Sequence, residues 1–105
     1  LLREFDILLA PSTPCVAPFL KDHEPVTTDG PRPPRPRLGA LTQPISFIGL
    51  PVVSVPVWGC HPRLPIGVQV IGAPWREDLV LRVAHHLQQT GIVRSPVVDP
   101  YPAAA

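Results

Sequence analysis

The chain has 105 residues, of which 45% are hydrophobic and only 16% charged, with a formal net charge of +1. That describes one domain or a piece of one, without the surplus charge of a nucleic-acid or acidic-membrane binder. Seventeen prolines, about three times the usual usage, exclude a helical bundle, because interior proline breaks the helix ladder. No apolar run approaches the roughly 20 residues that span a bilayer.

The chain starts at Leu1 inside an apolar run, with no charged leader and no Met anywhere, as expected of a chain entered partway through its domain. Phe5 to Ala10 reads as a buried strand, closed by Pro11-Ser12-Thr13-Pro14, whose prolines and hydroxyls stop regular pairing. From Pro18 to Gly39 the composition turns polar and rich in Pro and Arg, which favours an extended, solvated loop. Its PxxP pairs, Pro31 with Pro34 and Pro33 with Pro36, lack the arginine spacing of an SH3 ligand.

Thr42 to Phe47, leading into Gly49-Leu50-Pro51, fits a short helix or turn. Val52 to Val57 is rich in β-branched valine but contains Pro56, so it reads as a strand at an edge or one that loses its ladder there. After a loop over Gly59 to Leu64, Ile66 to Gly72 makes a third strand, with Ile66, Val68 and Val70 facing one way and Gly67, Gln69 and Ile71 the other. Glu77 to Gln89 is a helix: Leu79, Val80, Val83, Ala84 and Leu87 share one face, Glu77 and Asp78 suit its positive end, and Gly91 can close it. Tyr101 to Ala105 shows no periodicity and is expected to lie near the natural C-terminus. Three strands and one clear helix bury a thin layer, so the apolar strands imply a missing partner sheet and an isolated chain without cooperative melting.

Strong local catalytic motifs are absent: there is no GxSxG elbow, phosphate-binding glycine loop or paired-cysteine metal motif. His85 and His86 point about 100° apart on a helix, unlike a chelating i, i+4 pair. Cys60-His61 is adjacent in sequence, which is not the geometry of a thiolate–imidazole pair. Cys15 and Cys60 read as reduced thiols, and with no secretory signal the expected compartment is the cytosol. Thr13, Thr42, Gln43, Ser46, Ser54 and Gln69 are polar groups among apolar segments and must find partners or line a wet cavity. For Ser54, a core hydroxyl bonded to backbone is the expected role, and Lys21 reads as a solvated charge.

Three stretches in order, Phe5-Asp6-Ile7-Leu8-Leu9-Ala10-Pro11-Ser12-Thr13-Pro14, Gly49-Leu50-Pro51-Val52-Val53-Ser54-Val55-Pro56 and Leu64-Pro65-Ile66-Gly67-Val68-Gln69-Val70-Ile71-Gly72, resemble the C-terminal third of amidase signature enzymes. Thr42 to Pro51 and Ala73 to Asp78 are most similar to the carboxybiuret-hydrolysing branch. The resemblance runs from about Leu1 to Gln89 and implies an α/β fold, a large mixed sheet covered by helices, of which residues 1–105 would be the C-terminal part. It also implies hydrolysis of the C–N bond of a small amide or ureide by a serine, a cis-serine and a lysine, without metal or cofactor. No stretch here matches the region that carries those three, so no catalytic residue is assigned in this chain. The segment similar to Thr42–Gly49 approaches substrate in relatives, which makes Thr42, Gln43 and Ile45 the candidate pocket residues.

The implied partners are the missing N-terminal part of the domain and the substrate, with room for a homodimer and for a small accessory subunit, and without nucleic acid or membrane. Competing readings are the A component of a glutamyl-tRNA amidotransferase, against which the Thr42-to-Phe47 run argues, and a non-catalytic remnant or binding module. Arg37, Leu41 and the Pro/Arg tract depart from the relatives' pattern, so the substrate is left open.

Overall fold

The computed structural model describes residues 1–18, 26–27, 30–31 and 38–96. The expected Pro/Arg loop therefore lies largely outside the described residues, apart from β2 (Val26–Thr27) and β3 (Gly30–Pro31), which pair antiparallel.

The main sheet has three strands: β1 (Ile7–Pro11), β4 (Val52–Val57) and β5 (Ile66–Gly72), in the order β1-β5-β4. Both pairings are antiparallel. β4 and β5 are consecutive arms of one hairpin, and Pro56 sits opposite Gly67 on an edge strand, where its missing N–H costs least. Val57 also bridges to Val93, so the chain returns beside β4 after the last helix. There the Trp58 indole N–H donates to the Arg94 carbonyl over 2.7 Å.

β5 is central, and this explains its composition. Val70 is fully buried (0% exposed) on one face while Gln69 and Ile71, each 2% exposed, are buried on the other. On the first face lies α2 (Glu77–Gln89), with the bounds its periodicity predicts. Its Val80, 1% exposed, completes a core with Val55, Val70 and Val93, flanked by Val53, Val68, Val83, Ala84 and Leu87. Glu77 and Asp78 occupy the first turn. Past the cap residue Thr90, Gly91 takes φ 78° and its N–H donates to the Gln88 carbonyl, the left-handed closure that glycine permits.

The expected buried strand needs correction. β1 begins at Ile7 rather than Phe5, runs through Pro11, and buries none of its residues fully. Leu9 remains 63% exposed. The strand is an edge of the sheet, so its burial depends on what lies beyond that edge rather than on its own apolar composition. The polar stretch before β4 is a helix, α1 (Gln43–Ile48), with Pro44 in its first turn and Gly49 at its end. No residue of α1 is buried.

Between β5 and α2 the chain turns over Ala73–Arg76, closed by the Arg76 N–H on the Ala73 carbonyl at 3.1 Å. Within it Trp75 adopts φ 65° although its side chain is 89% exposed.

Candidate functional site

Strand alternation divides the sheet chemically. The face toward α2 is aliphatic, whereas the opposite face carries Ser54, Gly67 and Gln69 in adjacent positions, because Ser54 pairs with Gln69 and Pro56 with Gly67. β1 contributes Ser12 to the same region: its N–H donates to the Gly67 carbonyl at 2.8 Å just beyond the ladder. Over Gly67, the Ser12 and Ser54 hydroxyls share a hydrogen bond of 2.7 Å.

That bond requires a glycine beneath it. A Cβ at position 67 would lie 2.8 Å from Ser12 Cβ and 3.0 Å from each serine Oγ. Ser12 is 5% exposed and therefore depends on this partner to satisfy its hydroxyl. Among the described residues each of the two hydroxyls has the other as its partner and neither an imidazole nor a carboxylate, the arrangement of a clasp between β1 and β4.

Next to the clasp, the Gln69 amide spends its two N–H donors on two carbonyls: Pro11 at 2.9 Å and Leu41 at 3.1 Å. The second reaches the turn that leads into α1. In that turn the Thr42 and Gln43 backbone N–H groups donate to the Gly39 carbonyl, as does the Thr42 hydroxyl at 3.2 Å.

Thr42 and Gln43 are thus brought together at the start of α1. Thr42 is half-buried and Gln43 exposed, with Gln43 Cγ packed over Gly39, 3.6 Å from where a Cβ would stand. Gln43, Pro44, Ser46, Phe47 and Ile48 form an open, exposed surface of α1. Ile45 is half-buried and is not part of that surface. Phe47 is 93% exposed, an apolar surface that water covers poorly.

Of the other polar candidates, Ser46 is exposed on α1 while Thr13 and Ser54 make structural hydrogen bonds. Thr13 donates its hydroxyl to the Cys15 carbonyl at 2.8 Å. Ser54 is exposed rather than the core hydroxyl expected, and it binds the Ser12 hydroxyl rather than backbone. His61 Nδ1 accepts from the N–H groups of Arg63 and Leu64 at 3.2 and 3.1 Å, which occupies that nitrogen in a loop turn. His85, His86 and Cys60 are exposed. Among the described residues no group of three His, Cys, Asp or Glu side chains is placed to hold a metal, and no helix is long and apolar enough to cross a membrane.

Ser12 was not among the sequence candidates, although the signal was there: a Ser-Thr pair leaving one strand and a Gly just inside the start of another. The charged groups near the α2 start form a surface pair. Arg76 Nε donates to Asp78 Oδ1 at 3.1 Å, and this bond raises the arginine pKa and lowers that of the carboxyl. Among the described residues the α1 region offers a polar turn with a hydroxyl and a side-chain amide at the start of an exposed helix.

A family model described as Amidase matches residues 1–81. A 1-carboxybiuret hydrolase subunit, AtzE, of Pseudomonas sp. (strain ADP) is 52% identical over 90% of this chain, which spans 21% of that relative. The A component of the glutamyl-tRNA(Gln) amidotransferase of Brevibacillus brevis is 37% identical over 86% of the chain and 17% of its own length. A solved structure described as a vestigial protein complex that reveals the origins of an s-triazine catabolic enzyme superposes with a TM-score of 0.84 at 47% identity, covering 91% of this chain and 21% of that one. A crystal structure of an amidase gives a TM-score of 0.76 at 32% identity over 85% of this chain and 20% of that one. The chain therefore spans about a fifth or less of the length of the relatives it matches.

Proposed function

The chain belongs to the amidase family, and on that premise we propose that it is the C-terminal portion of an amidase that hydrolyses the C–N bond of a small amide or ureide of the carboxybiuret type. The observation that carries this reading is the 52% identity to the carboxybiuret hydrolase of Pseudomonas over 90% of the chain. The geometry is compatible with it: Ser12 and Ser54 are engaged with each other and His61 accepts two N–H groups in a loop turn, and on this reading the Ser–cisSer–Lys triad belongs to the rest of the domain. In that mechanism the lysine and the bridging serine take the proton of the nucleophilic serine, and backbone N–H groups stabilise the tetrahedral oxyanion.

This chain contributes a wall of the pocket. The Thr42 hydroxyl and Gln43 amide offer polar contacts suited to a small carbonyl-rich substrate, and Ile45 sets the shape behind them. Phe47 and the free edge of β1 are the surfaces on which the remainder of the domain packs. Free Cys15 and Cys60 fit a reducing, cytoplasmic setting.

The amidotransferase reading is favoured by the 37% identity to the Brevibacillus protein. The two separate on one assay. Intact-mass measurement of the native protein, expected at several times 11.4 kDa, is followed by ammonia release from 1-carboxybiuret and related ureides. Release from ureides without tRNA supports the hydrolase. Release only from glutamine, dependent on aminoacylated tRNA, supports the amidotransferase. A native mass near 11.4 kDa would overturn both and leave a binding module.

A further inference from the structure

We propose that Gln69 is a positioning residue for the substrate pocket: from the centre of the sheet it holds the turn that presents Thr42 and Gln43. The inference rests on the amidase reading for its kinetic consequence, but its geometric part stands apart from it.

Among the described residues the α1 segment has little else to fix it. No residue of α1 is buried, and Phe47 stands 93% exposed. The other hydrogen bonds described for this turn are internal to it: the Thr42 and Gln43 N–H groups on Gly39, the Ser46 N–H on Thr42 and the Gly49 N–H on Ser46. Internal bonds set the shape of a turn without setting its place. Gln69 sets the place, since its side chain is 2% exposed in the central strand and its Nε2 donates to Leu41 one residue before the pocket candidates.

The same nitrogen donates to Pro11, next to the Ser12 clasp. One planar amide thereby fixes the spacing between the end of β1 and the α1 turn, and both of its N–H donors are used. No other uncharged side chain of this length offers two donors on one nitrogen. A glutamate would set a carboxylate oxygen against two carbonyls, and a methionine would fill the volume with neither donor. A turn released from this anchor samples more positions, so substrate must select the competent one, and the apparent affinity falls by the competent fraction while bound substrate reacts as before.

The test uses full-length amidase carrying Gln69→Met, with Ser54→Ala as a neighbour on the same face that leaves the Leu41 bond intact. For Gln69→Met, KM for the preferred ureide is expected to rise about tenfold with kcat within about twofold, the signature of a lost binding-competent population. Hydrogen exchange of the peptide 39–49 should accelerate about tenfold or more, with the β5 peptide unchanged. Ser54→Ala should leave both readouts at wild-type values. If Gln69→Met does not accumulate as folded protein, Gln69→Asn, which keeps an amide one methylene short of Leu41, carries the same two measurements. Unchanged exchange over 39–49, or equal losses in kcat and kcat/KM, would overturn the proposal. A wild-type enzyme that releases no ammonia from any amide would instead sink the amidase reading, and the exchange experiment would still decide whether Gln69 anchors the turn.

Discussion

Replacing Gly67 with alanine tests the clasp most directly. The added methyl would stand 2.8 Å from Ser12 Cβ and 3.0 Å from both serine oxygens, about half an ångström inside ordinary contact. Two of these atoms belong to a side chain fixed by its own backbone bond, the Ser12 N–H on the Gly67 carbonyl at 2.8 Å, so relief requires β1 to lift away. Overpacking of this kind costs about 1–3 kcal/mol, and breaking the serine pair adds about 1 kcal/mol. The sum, about 2–4 kcal/mol, should appear locally, because a multi-part domain need not unfold in one step. Native-state hydrogen exchange of full-length protein is therefore the assay. The Ser12 amide should exchange about 30-fold faster or more in Gly67→Ala, while the amide of Val70 stays protected. Adding Ser12→Gly removes the atom at 2.8 Å and should restore most of the protection. If the Ser12 amide in Gly67→Ala exchanges within threefold of wild type, the reasoning fails.

Two further outcomes follow from local chemistry. Trp75 holds φ 65° with 89% of its side chain exposed, so Trp75→Gly relieves backbone strain and gives up little packing; thermal unfolding of full-length protein should show equal or higher stability, by up to about 1 kcal/mol, and a drop of several degrees would mean the indole has a partner. The Arg76 hydrogen bond lowers the Asp78 pKa, so its contribution is present above the usual Asp value of about 3.9 and is lost as pH falls through the lower folded value. Wild type should exceed Asp78→Asn slightly in stability at pH 6, less so in high salt because the pair is exposed, and the two should converge once the pH is low enough to protonate Asp78 in the folded protein; a difference that persists in acid would refute the pairing.

The legible parts of this chain were those in which local pattern and local chemistry coincide. The bounds of α2 follow from one apolar stripe, two acids at its start and Gly91 after its end, and Glu77–Gln89 is the helix observed. Pro56 marked β4 as an edge or an interrupted ladder, because a missing donor is a property of the residue itself, and β4 is an edge. Burial of β1 was not legible, since Leu8 and Leu9 look alike in sequence while exposure depends on what lies beyond the sheet edge. The clasp was hidden for a related reason. Ser12 and Ser54 are 42 positions apart, and only the pairing of both strands with β5 makes them neighbours. Gln69 was recognised as a polar group in need of partners, yet its partners are carbonyls at Pro11 and Leu41, which no side-chain pattern reveals.

The order of the strands also bears on how the chain reaches its folded state. β4, β5, α2 and Val93, which hold the buried valines, are contiguous from 52 to 93, and the hairpin needs only the short closure 58–65. β1 reaches β5 only after a closure from Pro11 to Val68, across the whole Pro/Arg tract. Loop entropy makes the first assembly fast and the second slow. Strand β1 is therefore expected to dock last, with the Ser12 amide gaining protection after that of Val70 in pulse-labelled refolding. In a nascent or partly unfolded chain, β5 then stands with one edge open until its own N-terminal strand arrives, and that interval is when a foreign strand could take its place.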